Sequence, residues 1–205
     1  MYALARREAG YAPSTIKTDL ELLRACLRWR YGAEAPTIWI PPASKPREVW
    51  LTKDQARALV DAAETPHIKL FLILGLATGA RGGAILDLTW DRIDFAHSTI
   101  DFRASGRLQT NKRRTVVPMN AVAKPALEDA FTARLTDHVI EYNGKAVASV
   151  KKAIQRLAAR TGLPVSPHVL RHTTAMELLQ AGADRAVIAL WLGHESVETT
   201  QIYLD

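Results

Sequence analysis

One cysteine, Cys26, in 205 residues leaves no partner for a disulfide within the chain and argues against a cysteine-based metal site. The default place for a lone thiol is a buried, structural one, in a reducing compartment. Long apolar runs are missing as well. The most apolar stretch, Ile68 to Ala77, carries Lys69 near its start and is far shorter than the roughly 20 residues that span a bilayer. The stretch from Met1 to Gly10 is charged early and has no signal-peptide core. The expectation is a soluble, intracellular protein without a membrane partner. There is no Walker-type loop, no His-Glu-x-x-His and no Gly-x-Ser-x-Gly. The acidic residues are scattered, whereas a metal-dependent nuclease gathers carboxylates around its ions. Internal repeats and low-complexity segments are absent too.

What is present is basic. Lys and Arg number 27 against 21 Asp and Glu, a net charge of +6 with a sequence pI near 9.6. Such a balance suits a polyanion, because each phosphate neutralised releases a counterion, although a soluble basic protein with no such partner has the same composition. Hydrophobic residues make up 48%, enough for a proper core.

Apolar positions Ile16, Leu20, Leu23 and Leu27 predict a helix from Ser14 to Tyr31, with Ser14 as N-cap. A stretch holding Pro36, Pro41, Pro42 and Pro46 reads as a linker. The domain boundary is placed there: residues 1–45 before it, 46–205 after it. Thr52 and Gln55 form a capping box. Ile68 to Thr78 predicts a buried helix stopped by Gly79. Ile85 to Trp90 reads as a helix packed on the core. Between Thr99 and Pro118 the alternation of Ile100 and Phe102, and the β-branched Thr115-Val116-Val117, predict antiparallel strands around a basic turn. Val139 to Tyr142 is extended and meets a turn at Asn143-Gly144. Helices follow from Ser149 to Gly162, from Pro167 to about Gly182, and from a cap at Asp184 to Leu192, with Gly193 as a break. Ser196 is a candidate cap for a last segment. The fold class is mainly α, with a small antiparallel β-sheet.

Four local signals can carry chemistry, and each alone has an ordinary structural explanation. Thr78-Gly79-Ala80-Arg81 holds an arginine at a turn after a rigid helix; alone, it reads as a surface arginine. Gln109-Thr110-Asn111-Lys112-Arg113-Arg114 is a basic turn, and charge runs are usually solvated faces. His168-Val169-Leu170-Arg171-His172 puts His168 and Arg171 on one helical face. A guanidinium stays charged and grips two phosphate oxygens, and an imidazole moves protons near neutral pH. His172 reads better as a packed or hydrogen-bonded helix residue. Leu192-Gly193-His194 places His194 after a helix end, and Tyr203 follows; alone, Tyr203 reads as core. Without clustered carboxylates, phosphoryl transfer would have to rely on Arg, His and Lys, the residues of these four signals.

Together the signals resemble the tyrosine site-specific recombinases, the phage-integrase type. Ala77-Thr78-Gly79-Ala80-Arg81 resembles the first box of that family. Pro167-His168-Val169-Leu170-Arg171-His172-Thr173 resembles the second, with Leu192-Gly193-His194-Glu195-Ser196 and Thr199-Thr200-Gln201-Ile202-Tyr203 following in the expected order. The resemblance runs from about Trp50 onward. It implies a helical recombinase catalytic domain over 46–205 and a partial DNA-clamping segment over 1–45. It implies that the Tyr203 hydroxyl attacks a DNA phosphate to give a 3′-phosphotyrosine link, which a 5′-hydroxyl then resolves, without metal, ATP or other cofactor. Arg81 and Arg171 would clamp the nonbridging oxygens, His168 would assist proton transfer, His194 would hydrogen-bond the phosphate and Lys112 would protonate the leaving oxygen. Arg107, Lys112, Arg113 and Arg114 would contact DNA. The implied partners are double-stranded DNA and three further copies in a tetramer, in a cytoplasmic, nucleoid-associated setting.

The sequence departs from that pattern in three places. The family's hairpin lysine falls, by register, on Gln109, with Lys112 the nearest lysine. Ala84 stands where an acidic residue is frequent, three after Arg81. One clear helix precedes the linker where the family has a helical bundle, and two residues follow Tyr203 where the family continues. These departures motivate a second reading, a truncated prophage relic that binds DNA with little or no strand exchange. A type IB topoisomerase, with the same chemistry, fits the boxes less well.

Overall fold

The computed structural model describes residues 1–42, 49–103 and 115–193, and the chain divides into two compact units, Met1–Arg47 and Glu48–Asp205.

In the first unit α1 (Tyr2–Glu8) packs on α2 (Pro13–Tyr31), followed by a 3-10 turn at Gly32–Glu34. Helix α1 escapes sequence reading because it is short, buries none of its residues and has no side-chain cap. Polar contacts hold it to α2: Arg6 and the Tyr2 hydroxyl both donate to Asp19 Oδ2, at 2.9 and 2.8 Å. The Arg6 guanidinium also stacks 3.5 Å from the centre of the Tyr11 ring, and hydrogen bonds from Arg6 and then Tyr2 hold the Asp19 carboxyl below its usual range. Helix α2 starts one residue before the expected Ser14. Ala12 is the N-cap and Pro13 occupies the first turn, where a missing N–H costs nothing. Ile16 and Leu20 are buried, whereas Leu23 is 47% exposed. Cys26 is exposed rather than buried. Six residues beyond Leu20, it falls off the three-and-four spacing of the buried stripe.

The second unit is built around α4 (Pro66–Thr78), whose Ile68, Leu70, Phe71, Leu72, Leu74, Gly75 and Thr78 are all buried. Helices α3 (Lys53–Asp61), α5 (Gly82–Leu86), α6 (Ala123–Thr132) and α8 (Pro167–Gln180) pack against it. The capping box of α3 forms as read: Gln55 N–H donates to Thr52 Oγ1 at 3.2 Å and Thr52 N–H to Gln55 Oε1 at 2.9 Å. Gly75 lets α8 come close, since a Cβ there would lie 2.8 Å from Leu170 Cδ1.

The expected helix from Ile85 to Trp90 stops at Leu86. The backbone beyond it pairs elsewhere. Val139 N–H donates to Leu88 O and Trp90 N–H to Asp137 O, with a bridge between Thr89 and His138. Leu88 and Trp90 are buried, as an apolar helix face would be, but by this non-local pairing. A 3-10 turn at Trp90–Arg92 leads into β1 (Ile93–Asp94), which joins β2 (Thr99–Asp101) and β3 (Val116–Pro118) in one antiparallel sheet, ordered β1-β2-β3. Ile93 is opposite Ile100, which is opposite Val117, so one face of the sheet closes the core. β4 (Glu141–Tyr142) and β5 (Lys145–Ala146) form a hairpin whose turn residues Asn143 and Gly144 have φ of 51° and 70°, the pair of positive angles that an Asn-Gly turn supplies. Helix α7 (Lys151–Thr161) is capped at Val150, one residue after Ser149, whose hydroxyl accepts from Lys151 N–H. Ser166 caps α8 ahead of Pro167, and Asp184 caps α9 (Arg185–Leu192) through Ala186 N–H at 2.7 Å.

Gly79 ends α4 with φ 64°, and a Cβ there would lie 2.6 Å from Leu192 Cδ2 and 3.3 Å from Thr174 Cβ. Gly79→Ala therefore combines a left-handed backbone cost with overpacking and is expected to destabilise by about 2–4 kcal/mol. Urea unfolding should show the midpoint falling with little change in slope.

Candidate active site

Two arginines from separate helical segments meet at the C-terminal end of α9. Arg81 follows the left-handed Gly79 and is the N-cap residue of α5, with extended backbone (φ −64°, ψ 138°). Its Nη2 lies 3.5 Å from Gly193 O. Arg171, on α8, is only 5% exposed. Its Nη1 donates to Gly79 O and its Nη2 to Leu192 O, both at 2.7 Å. The acceptors follow from the local fold. Gly79 and Gly193 both have left-handed backbone, and Leu192 is the last residue of α9. Carbonyls at a helix end lack intrahelical partners, and the negative end of the helix dipole favours cations.

The arginines share a small cavity of about 20 Å³, lined also by Thr78, Ala80, Ala84, Phe102, Thr115, Val117, Trp191 and Leu192. A space of that size holds about one water-sized group. Ala84, at the position where the sequence departs from the family's acidic residue, contributes a buried methyl to this wall. Gly82 brings the start of α8 beside α5, since a Cβ on it would lie 3.0 Å from Pro167 Cβ. His168, next to Pro167 in the first turn of α8, is exposed and lies one turn before Arg171. His172 is buried and packs against the Trp50 ring, centroids 5.8 Å apart, in keeping with its reading as a packed helix residue.

The site has a polar frame that the sequence reading missed. Thr78 Oγ1 donates to Leu74 O at 2.6 Å and accepts from Ala80 N–H at 3.1 Å, fixing the turn before Arg81. The Trp191 indole N–H donates to Thr78 O at 2.9 Å, and Thr115 Oγ1 donates to Trp191 O at 2.9 Å. Thr173 Oγ1 accepts from Leu51 N–H at 3.0 Å. No local pattern announces these bonds; the available signal was a threonine within each arginine box, at Thr78 and Thr173, and Trp191 and Thr115 adjoining the other two runs. Just beyond the end of β2, Arg103 grips Asp101 through Nε and Nη2 at 2.9 and 2.8 Å. These bonds hold the Asp101 carboxyl below its ordinary range.

Of the sequence-predicted residues, the structure brings Arg81 and Arg171 together, with His168 on the same helix. His194 and Tyr203 lie outside the described residues, as do Arg107, Gln109, Lys112, Arg113, Arg114 and Ser196.

Comparison with known proteins gives one answer at three levels. The model of the Phage integrase family matches residues 49–205. The putative integrase/recombinase y4rC of Sinorhizobium fredii (strain NBRC 101917 / NGR234) is 40% identical over 173 residues, covering 76% of this chain and 52% of that protein. This chain thus spans about half the length of that relative. The tyrosine recombinase XerC of Roseiflexus sp. (strain RS-1) is 32% identical over 228 residues, covering 98% of this chain and 71% of that protein. Among solved structures, the Tn1549 transposon integrase in complex with circular intermediate DNA has a TM-score of 0.83 at 22% identity, over 98% of this chain and 78% of that one, a likeness of fold. With two arginines gathered beside the end of α9 and a family match that begins at the second unit, the chain belongs to the phage integrase family and carries its tyrosine-recombinase catalytic domain.

Proposed function

We propose that the chain cleaves and rejoins DNA through a covalent 3′-phosphotyrosine formed by Tyr203, without metal or ATP. The observation that carries this reading is the convergence of Arg81 and Arg171 on one cavity. A guanidinium has five N–H donors, so Arg171 can hold its two carbonyls and still address a phosphate oxygen. Preorganised donors aimed at developing charge are usually the largest catalytic term. In this scheme the Tyr203 oxygen attacks phosphorus and the bond to the 5′-oxygen breaks. His168 assists removal of the phenol proton, His194 hydrogen-bonds the phosphate and Lys112 protonates the leaving oxygen. The 5′-hydroxyl of a partner strand then attacks the phosphotyrosine and releases the phenol. The ester's energy is kept in the intermediate.

Residues 46–205 form the catalytic domain and residues 1–45 a partial DNA-clamping segment. Double-stranded DNA is the partner, a reading supported by the Tn1549 integrase, whose structure is a complex with circular intermediate DNA, and four copies assemble on two duplexes. The reading places the protein in the cytoplasm at the nucleoid, because that is where its DNA substrate is. No helix among the described residues is long and apolar enough to cross a membrane.

A nicked duplex that traps the intermediate tests the reading. The expected result is a covalent protein–DNA adduct on a verified target site. Binding to that site without adduct would sink it and favour the DNA-binding relic. Affinity should fall steeply with salt. If Arg107, Lys112, Arg113 and Arg114 each neutralise one phosphate, raising salt from 50 to 200 mM weakens binding by about 10²-fold.

A further inference from the structure

The last three residues described in the chain each offer a carbonyl to a different segment. Trp191 O accepts from Thr115, Leu192 O from Arg171 and Gly193 O from Arg81. The Trp191 indole meanwhile donates to Thr78 O, at the end of α4. We infer that Trp191 and Thr115 are positioning residues for strand cleavage, fixing the end of α9 to both the turn that carries Arg81 and the strand that closes the basic hairpin. The inference rests on reading the chain as a DNA-cleaving recombinase.

Trp191 is the node. Its side chain fixes α9 to α4, and its carbonyl receives the hairpin strand, so displacement at this helix end moves both neighbours together. In sequence it stands three residues before His194, and Thr115 directly follows the basic run that ends at Arg114. Both residues line the cavity that the arginines share. The Thr115 hydroxyl is not needed to form the sheet. Phe102 N–H already donates to Thr115 O at 3.1 Å, and β3 pairs with β2 through Val116–Pro118. The hydroxyl bond is additional, and its effect is on the placement of one segment against another. Misplacement by a fraction of an ångström at a phosphoryl-transfer site slows chemistry well before it loosens binding.

The test uses the full chain and three variants. Thr115→Val keeps the β-branched shape and removes the hydroxyl, Thr115→Ser keeps the hydroxyl, and Trp191→Phe keeps a ring and removes the N–H. The readouts are the single-turnover rate of adduct formation on a nicked duplex with a verified site, the Kd for that duplex, and Tm. Thr115→Val and Trp191→Phe are expected to slow adduct formation about tenfold. Kd should stay within about twofold and Tm within about 4 °C, and Thr115→Ser should restore the rate to within about twofold. An active wild type with Thr115→Val equally fast would overturn the positioning role. So would a loss that serine does not rescue, or one that appears as weaker binding instead of a slower rate. A wild type that binds the site without forming adduct removes the recombinase reading itself, a distinct result that takes the positioning role with it.

Discussion

Replacing Tyr203 by phenylalanine is expected to abolish the covalent protein–DNA adduct while leaving duplex affinity within about twofold of wild type. The substitution removes one oxygen. If that oxygen is the nucleophile, no other group in the scheme forms the phosphodiester link, because Arg81 and Arg171 only donate hydrogen bonds, His168 carries a proton and His194 donates a hydrogen bond to the phosphate. Affinity is expected to survive, since binding in this scheme comes from basic side chains on phosphates. Denaturing gel electrophoresis of the nicked-duplex reaction reads the first outcome and a binding titration the second. Undiminished adduct in Tyr203→Phe would assign the attack to another residue and remove Tyr203 from the mechanism.

Arg171→Ala should damage both fold and reaction. Arg171 is 5% exposed, and its guanidinium donates to two main-chain carbonyls at 2.7 Å. A buried acceptor left without its donor costs about 1–3 kcal/mol, so losing both points to a destabilisation of about 2–6 kcal/mol, read by denaturant unfolding. Adduct formation measured on the folded fraction should fall by a factor on the order of 10²–10³, the range found where a single preorganised donor is removed from an oxyanion site. Arg171→Lys is not a rescue. An ammonium is a point donor and cannot span the Gly79 and Leu192 carbonyls as a planar fork does. Arg81→Ala gives the contrast. Arg81 is partly exposed where Arg171 is buried, so its loss should slow the reaction comparably while lowering stability less than Arg171→Ala does, read by the same denaturant unfolding.

Features encoded within a few residues were legible in the sequence. The capping box at Thr52 and Gln55, the Gly79 stop, the Asn143-Gly144 turn, Pro167 at a helix start and the Asp184 cap all follow from local backbone chemistry, and the structure has each of them. Features created by distant pairing were not legible. The run Ile85 to Trp90 has helical apolar spacing, yet Leu88 and Trp90 give their backbone to Val139 and Asp137, and no window around residue 88 contains that information. Cys26 was expected to be buried from the usual habit of a lone thiol, which says nothing of its place on a helix; it lies off the spacing of Ile16 and Leu20, the two residues that α2 buries, and is exposed. At the site, the arginines were visible through their boxes. The Trp191 and Thr115 contacts link positions 113 and 76 residues from their partners, beyond any sequence period.

Arg171 joins the end of α4 to the end of α9 through Gly79 O and Leu192 O, so under the proposed mechanism the same side chain would serve architecture as well as chemistry. A lineage that stops recombining DNA but still needs the folded chain would be under pressure to keep it, because losing it destabilises the fold. Arg171 in a degenerate copy therefore testifies to an intact scaffold. The record of continuing turnover has to be sought at positions whose loss the scaffold tolerates.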